Sequence, residues 1–388
     1  MFNFNKQINR RNTNCLKWDY LKETFGTKDI LPMWVADMDF PAPPKVIEAL
    51  TKEAAHGVYG YSVNDINALK SFLDWLNAKY SWQVKPADII HTPGVVTGLN
   101  LAIQCFTKKN DGVIIQTPVY NHFFDCITNN NRNLILNPLK YEEDTYKIDF
   151  IDLEEKIISS HAKMLIFCSP HNPVGRVWKK HELIQLLTLC QKHDVIIVSD
   201  EIHSDLVFQN HQHIPLNILD RNNNNKIITF MAPSKTFNLA GLKSAVAIIT
   251  HEKLKTKFKQ TVTALSLQYM NSFSSIAFEN AYKYGDEWLQ KLLIYLDENA
   301  EYISTYLEKN LKKIKYQKPE GTYLAWLDFR EYNLSSEELN KILLEKAKLG
   351  LSKGTYYGKE GEGFMRLNFA CSRDTLKDGL DRIKIAFS

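Results

Sequence analysis

The sequence lacks the features that mark membrane-spanning and secreted proteins. No apolar run approaches the roughly 20 residues that a membrane helix needs, and the N-terminal segment MFNFNKQINRRNTNCLKWDY has no apolar core like that of a signal peptide. The six cysteines are widely spaced and no two form a C-x-x-C pair, which favours reduced, mostly buried thiols over a disulfide framework. We therefore expect a cytoplasmic protein.

Charge of one sign is also scarce. The 388 residues carry a net charge of only +4, and the lysines are scattered rather than collected into blocks. Nucleic-acid-binding faces usually show a basic patch or stripe, so nucleic acid is not an expected partner. Residues 1–45 contain no helix-turn-helix pattern either, which argues against a DNA-binding head on a non-catalytic module.

Metal-binding patterns are weak. His203, His211 and His213 bring an H-x-H spacing, but no nearby cysteine or carboxylate cluster completes a zinc site. His171, beside Asn172, is better explained as a structural residue than as a ligand. We predict that the protein has no metal site.

The sequence does contain a series of short apolar segments. GVIIQTP, KMLIFCSP, DVIIVSDE, KIITFMAP and KSAVAIITH are continuous rather than alternating apolar runs, which is typical of strands in a sheet buried on both faces. Helical patterns such as KKHELIQLLTLCQKH lie between them. The order of these segments predicts an α/β protein with a mainly parallel central sheet.

The pattern changes near Asp286, where a long helical segment, EWLQKLLIYLDENAEYISTYLEKN, begins. The β-type segment GTYLAWLDF, the helical segment SSEELNKILLEKAKLG and the β-type segment GFMRLNFA follow it. Since 388 residues exceed one typical domain, we predict two. The large domain comprises residues 46–285, and a smaller α+β domain comprises residues 1–45 plus 286–388.

Polar residues collect directly after the predicted strands. They are Tyr120, Asn172, Asp200, His203 and Lys235, and a glycine turn with a helix start follows a further strand at Gly94. Each has a structural alternative: Asp200 could cap a helix, and Asn172 with the following proline could be only a turn. In open α/β sheets, however, ligands bind just beyond the carboxyl ends of the strands. The coincidence at successive strand ends therefore predicts a ligand site.

Several of these segments together resemble a known family. SDEIHSDLVF, SPHNPVGRVW, APSKTFNLAGL and EGEGFMRLNFA are similar to motifs of the pyridoxal-phosphate enzymes of fold type I, the aspartate-aminotransferase superfamily. LPMWVADMDFPAP, HGVYGYS, TPGVVTGLNLAIQCFT and GTYLAWLDFR resemble the cystathionine β-lyase (cysteine C–S lyase) subfamily of the MalY/PatB type. The motifs extend from about residue 31 to 371, which is nearly the whole chain.

The resemblance implies roles around the cofactor, pyridoxal 5'-phosphate. Lys235 would bind the cofactor aldehyde covalently and then act as general base on the substrate Cα proton. Asp200 would keep the pyridine nitrogen protonated. Asn172 would hydrogen-bond the phenolic oxygen of the ring, and His203 occupies the place where many relatives have a tyrosine for that oxygen. Tyr120 would stack on the ring face.

The resemblance also implies a phosphate site. The backbone N–H groups of Val95 and Val96 at a helix start would bind the anion, together with Ser234 and Lys243. Lys243 occupies a place usually held by arginine, and Ala232 one often held by serine. Because a lysine is a point charge without bidentate geometry, the set of phosphate ligands departs here from the family pattern.

The resemblance implies further residues around the substrate and the cofactor phosphate. Arg366 would bind the substrate α-carboxylate through two hydrogen bonds, and Asp37, with Trp34, would close over that carboxylate through backbone groups. Tyr61 would reach the cofactor phosphate or the substrate from the neighbouring subunit, which implies a homodimer with shared active sites. An ordinary ion pair is the alternative for Arg366, and packing is the alternative for Tyr61.

The implied reaction is α,β-elimination of L-cystathionine or another cysteine S-conjugate to a thiol, pyruvate and ammonia, with homocysteine as the thiol from cystathionine. An aminotransferase of class I/II would use the same lysine, aspartate and arginine, and no residue type in the sequence decides between the two reactions. A binding-only relative would be expected to have lost Lys235 or Asp200, and both are present.

Overall fold

The computed structural model describes residues 2–63, 65–220 and 222–387. The strands are β1 (Leu31–Pro32), β2 (Ile89–Thr92), β3 (Gly112–Ile115), β4 (Asn133–Leu136), β5 (Lys140–Glu142), β6 (Thr145–Lys147), β7 (Met164–Cys168), β8 (Ile196–Asp200), β9 (Ile227–Met231), β10 (Ala245–Ile248), β11 (Lys315–Tyr316), β12 (Leu324–Asp328), β13 (Leu349–Gly350), β14 (Ser352–Lys353) and β15 (Phe364–Asn368). The α-helices are α1 (Leu16–Asp19), α2 (Leu21–Phe25), α3 (Pro44–His56), α4 (Ile66–Tyr80), α5 (Val95–Phe106), α6 (His122–Thr128), α7 (Phe150–Ser160), α8 (Lys180–Lys192), α9 (Leu216–Leu219), α10 (Pro233–Thr236), α11 (Glu252–Ala264), α12 (Ser272–Tyr284), α13 (Asp286–Asn310), α14 (Ser336–Glu345) and α15 (Arg373–Phe387).

The central sheet has the strand order β2-β10-β9-β8-β7-β3-β4 within the described residues. Strands β4, β3, β7, β8 and β9 pair in parallel, whereas β10 is antiparallel to both of its neighbours, β2 and β9. All five continuous apolar runs of the sequence form strands of this sheet. The predicted α/β class with a mainly parallel central sheet is therefore confirmed.

Helices cover both faces of the central sheet, as the continuous apolar strands require. Ile196 and Val198 of β8 belong to an apolar core with α5, α6 and α11. Ile197, between them, belongs to a second core with α7 and α8. Successive residues of a strand point to opposite faces, so one strand supplies both cores and has no solvated side.

A second, antiparallel sheet has the order β11-β12-β15-β14 in the described part of the chain. The N-terminal segment joins this part of the molecule, because β1 pairs in parallel with β13. The division into residues 46–285 and residues 1–45 plus 286–388 remains a prediction. One apolar core crosses it: Phe72 of the predicted large domain lies in the same cluster as Phe4 and Leu292 of the predicted small one.

The strand directions bring the predicted site residues to one edge of the central sheet. Strands β3, β7, β8 and β9 are parallel and end there. Strand β2 also ends there, because β10 is antiparallel to both β2 and β9. Each of these strands is followed by a segment that the sequence analysis singled out.

All six cysteines are free thiols, and Cys15 alone is partly exposed while the other five are buried. Within the described ranges, no helix combines the length and the apolar character that crossing a membrane would require. No group of three or more histidine, cysteine, aspartate or glutamate side chains in these ranges could hold a metal ion. His213 instead pairs with buried Glu201, at 2.8 Å between Nε2 and Oε2.

Gly98 allows helix α5 to lie directly on the central sheet. A Cβ atom at position 98 would overlap the ring of Phe230 in β9, which is fully buried. We expect Gly98→Ala to lower the free energy of unfolding by about 1–3 kcal/mol, although alanine is the better helix former. Urea denaturation measures this change. Gly241→Ala is the control, since nothing lies within 4 Å of a Cβ there, and equal effects of the two substitutions would contradict the prediction.

Candidate active site

A cavity of about 150 Å³ lies at the carboxyl edge of the central sheet. Nine of the twelve predicted site residues line it: Val95, Val96, Tyr120, Asn172, Asp200, His203, Ser234, Lys235 and Lys243. A larger cavity, of about 1020 Å³, lies elsewhere, beside Tyr146, Arg176 and Trp326. None of the twelve predicted residues lines that larger cavity. The cavity at the sheet edge is therefore the candidate active site because of the residues that line it and not because of its size.

Lys235 lies in α10, the short helix that follows β9 and starts with Pro233. Its Nζ donates a hydrogen bond to the backbone oxygen of Ala36 at 2.7 Å. Burial lowers the pKa of Lys235 to about 8, and the charge of Arg366 lowers it further, against the opposing effect of nearby carboxylates. The amine therefore loses its proton closer to neutral pH than an ordinary lysine does, as a general base requires.

Asp200 ends β8 and is buried. Burial raises its pKa to about 7, although the backbone N–H of Ile202 and the charge of Lys235 favour the ionised form. Among the described residues, the carboxylate accepts one hydrogen bond, from that N–H at 3.1 Å. A buried carboxylate with so little compensation is unfavourable, and a ligand with a protonated ring nitrogen would supply the missing donor.

Arg366 lies in the middle of β15 and is buried. One Nη donates to Asn172 Oδ1 at 3.1 Å, and the other donates to the backbone oxygen of Trp34 at 2.7 Å. The guanidinium lies over the ring of Tyr357, 5.0 Å from its centroid. Its Nε is buried without a hydrogen-bond partner among the described residues. Arg366 therefore adjoins the cavity through Asn172 and has a free donor for a carboxylate.

His203 and Tyr120 supply neutral groups to the cavity. Burial, with the charges of Lys235 and Arg366, holds the pKa of His203 well below its usual value, so the imidazole is uncharged. Its Nδ1 is buried and lacks a partner in the described part of the chain. Burial and the charge of Asp200 raise the pKa of Tyr120, so the phenol stays protonated.

The cavity also contains groups that favour binding of an anion. Helix α5 begins there, directly after Gly94, whose φ of 102° is accessible to glycine. The first N–H groups of a helix have no intrahelical partner, and the helix dipole favours negative charge there. Val95 and Val96 contribute these groups, and Ser234 and Lys243 line the same cavity.

These groups fit the cofactor predicted from the sequence. The unpartnered Nδ1 of His203, the under-compensated carboxylate of Asp200 and the amine of Lys235 offer partners for a ring oxygen, a ring nitrogen and an aldehyde, respectively. The helix start offers an anion site for a phosphate. The fold and the cavity together are those of the predicted pyridoxal-phosphate enzymes of fold type I.

Two predicted residues lie apart from the cavity. The carboxylate of Asp37 pairs with Arg10 at 2.6 Å and lies 3.8 Å from the Nζ of Lys17, so it is not directed at a substrate. Tyr61 is fully exposed and does not contact the cavity of its own chain. The substrate-binding role of Asp37 and the role of Tyr61 in a neighbouring subunit stay predictions.

The sequence analysis related Trp34 and Asp37 only to the substrate carboxylate. It missed the contact that residues 34–40, which we call the N-terminal strap, make with Lys235. Its Ala36 oxygen accepts from Lys235 and also from the hydroxyl of Tyr323, at 2.9 Å. Asn238 Nδ2 donates to the Met38 oxygen at 3.0 Å and ties the strap to the lysine turn. The motifs MWVADMDF and SKTFNLAG were the available signals, but backbone acceptors have no residue-type signature.

The chain belongs to the aminotransferase class I and II family, whose model matches residues 28–383. The cystathionine beta-lyase PatB of Bacillus subtilis (strain 168) is 44% identical over 386 residues, which is 100% of both chains. Protein MalY of Escherichia coli (strain K12) is 34% identical over 98% of this chain and 97% of its own. The PLP-bound C–S lyase from Staphylococcus hominis has a TM-score of 0.93 and 32% identity, covering 100% of this chain and 98% of that one. The family and subfamily resemblance predicted from the sequence is confirmed.

The raised pKa of Asp200 predicts an unusual pH dependence of stability in the cofactor-free protein. The pKa of Asp200 is about 7 in the folded protein, against an ordinary value of 3.8. At a pH between these two values unfolding therefore releases a proton, and the free energy of unfolding falls as the pH rises. Asp200→Asn removes this loss of stability at higher pH. We expect the variant to gain a few kcal/mol in free energy of unfolding relative to wild type between about pH 5 and about pH 8.

Urea denaturation at several pH values measures that gain. Asp74→Asn is the matched control, because Asp74 is exposed and pairs with Lys70 on the surface of α4. Parallel curves for wild type and Asp200→Asn across the range would contradict the raised pKa.

Proposed function

We propose that this chain is a pyridoxal-phosphate-dependent carbon–sulfur lyase. It catalyses α,β-elimination of L-cystathionine or a related cysteine S-conjugate and releases a thiol, pyruvate and ammonia; the thiol from cystathionine is homocysteine. The observation that carries the proposal is a buried lysine with a pKa of about 8 in one cavity with a buried carboxylate. The chain that builds this cavity is 44% identical over its whole length to a cystathionine beta-lyase.

Each buried polar group has a defined task in this reaction. The cofactor, when bound, supplies an electron sink for the charge that develops on the substrate Cα. Lys235 removes the Cα proton, and its lowered pKa leaves the amine free to accept it. Asp200 would accept a hydrogen bond from the ring nitrogen of the bound cofactor and, as a buried anion, would keep that nitrogen protonated.

The substrate carboxylate binds to Arg366. Its Nε has no protein partner among the described residues, and the guanidinium plane is held by Asn172 and by the ring of Tyr357. A planar donor pair on a fixed plane matches a carboxylate with two hydrogen bonds. This contact also orients the Cα–H bond, because it fixes the substrate at a second point besides the amino group.

The reaction is tested by the release of pyruvate from L-cystathionine by protein loaded with pyridoxal phosphate, with no keto acid present. We expect pyruvate from wild type and from Lys253→Ala, which changes an exposed lysine of α11, and none from Lys235→Ala, which lacks the base. Amino-group transfer to an added keto acid without release of pyruvate would instead make the protein an aminotransferase.

A substitution of Arg366 tests carboxylate binding separately. Arg366→Lys keeps the charge but loses the planar pair of donors, so we expect kcat/KM for the amino acid substrate to fall about 10- to 100-fold. Steady-state kinetics measures this fall. Arg330→Lys is the control, because Arg330 is exposed and pairs with Asp328. An unchanged kcat/KM for Arg366→Lys would remove Arg366 from the substrate site.

We further propose that the active protein is a cytoplasmic homodimer that acts in amino-acid metabolism. Val58, Tyr59, Tyr61, Val63 and Ile66 form an exposed, largely apolar segment, and contiguous exposed apolar surface marks interaction sites. A second copy that covers this segment would receive Tyr61 near its own cavity. The six free thiols support a reducing compartment.

Subunit hybrids test whether Tyr61 acts in the neighbouring site. Tyr61→Ala and Lys235→Ala each affect a different half of a shared site, so a heterodimer of the two variants has one intact site. We expect purified heterodimers to show about half of the wild-type activity, although each variant alone is impaired. Heterodimers no more active than the parent variants would contradict a shared site.

A further inference from the structure

A carboxylate outside the cavity bonds to the residue that follows Lys235. Asp205 Oδ2 accepts a hydrogen bond from Thr236 Oγ1 at 2.9 Å. Its Oδ1 accepts two more, from Trp75 Nε1 at 3.0 Å and from the hydroxyl of Tyr80 at 2.6 Å. In the described part of the chain, its side-chain hydrogen-bond donors are these three neutral groups, which come from two separate elements.

The position of Asp205 links three parts of the active-site region. It lies in the turn after β8 that also carries His203, and the backbone N–H of Leu206 closes that turn on the His203 oxygen at 2.9 Å. Trp75 and Tyr80 belong to α4. One carboxylate thus joins α4, the turn that follows Asp200, and the helix that carries the lysine.

Helix α10 has few other side-chain anchors. It is four residues long, and Ala232, the residue that caps its start, provides no side-chain hydrogen bond. Thr236 is fully buried, so its hydroxyl cannot exchange Asp205 for water. Lys235 has a long and flexible side chain, and the position of its Nζ therefore depends on how firmly the backbone of this short helix is held.

We propose that Asp205 is a positioning residue for Lys235, acting through the hydroxyl of Thr236. This inference rests on the proposed function in one respect, that Lys235 is the base and the cofactor-binding residue. Asp205 does not line the cavity, so its action is indirect. Nor is it among the charges that shift the titration of Lys235, so the action is geometric rather than electrostatic.

Two matched substitutions separate positioning from general stabilisation. Thr236→Val and Tyr80→Phe each remove one hydroxyl that donates to the same carboxylate, but only Thr236 adjoins the lysine. Thr236→Ser keeps the hydroxyl. We expect Thr236→Val to lower kcat at least about tenfold with little change in KM, and we expect Tyr80→Phe to lower the melting temperature without changing kcat. Thr236→Ser is expected to retain the wild-type kcat.

A second readout does not depend on lyase activity. The absorbance of the bound cofactor changes with pH according to the surroundings of Lys235, so its titration in the loaded protein without substrate reports the geometry of the linkage. We expect the titration midpoint to shift in Thr236→Val and in Asp205→Asn, whose amide would present donors to a cluster of donors. The midpoint should stay unchanged in Tyr80→Phe. If Thr236→Val does not fold, Asp205→Asn alone provides this test.

The outcomes are distinct. Equal losses of kcat in Thr236→Val and Tyr80→Phe, or an unshifted titration in both Thr236→Val and Asp205→Asn, would overturn the proposal and leave Asp205 as an anchor of α4. A third outcome separates the two proposals. If wild type releases no pyruvate, but the titration midpoint shifts in Thr236→Val and not in Tyr80→Phe, the lyase assignment fails while the positioning role of Asp205 stands.

Discussion

The burial of two ionisable groups of opposite charge is the constraint on which the rest of the site depends. Burial lowers the pKa of Lys235 to about 8 and raises that of Asp200 to about 7, so both groups titrate closer to neutral pH than an ordinary lysine or aspartate does. Removing such groups from water is costly. The packing of the fully buried strands β7, β8 and β9 offsets that cost. These strands place both groups at one edge of the sheet, where a bound ligand can supply their missing partners.

The N-terminal strap is the second element that this arrangement needs. Cationic groups directed into a buried cavity require acceptors, and the strap provides uncharged ones: the Trp34 oxygen for Arg366 and the Ala36 oxygen for Lys235. A carboxylate in the same place would raise the pKa of Lys235 and leave less of the amine unprotonated near neutral pH. The carboxylate of Asp37 in the strap instead pairs with Arg10 outside the cavity, although its charge still raises the pKa of Lys235 in part.

The sequence predicts the fold and most of the cavity for one physical reason: both depend on local patterns. Continuous apolar runs predict strands buried on two faces, and a polar residue directly after a parallel strand must lie at the ligand edge. Partners distant in sequence leave no such pattern. Nothing near Asp37 shows that Arg10, 27 residues earlier, takes its carboxylate, and nothing near Lys235 shows that its acceptor is a backbone oxygen 199 residues away. The antiparallel direction of β10 is likewise absent from its own apolar run.

In the proposed function, Arg366 connects substrate binding to the pKa of Lys235. Its positive charge is the largest charge effect that lowers the pKa of Lys235. A substrate carboxylate paired with the guanidinium neutralises much of that charge within the low-dielectric cavity. The opposing charges of Asp37 and Asp200 then act on the lysine with less competition, and the pKa of Lys235 rises. In the proposed reaction, the contact that holds the substrate therefore also raises the proton affinity of the amine that takes the Cα proton.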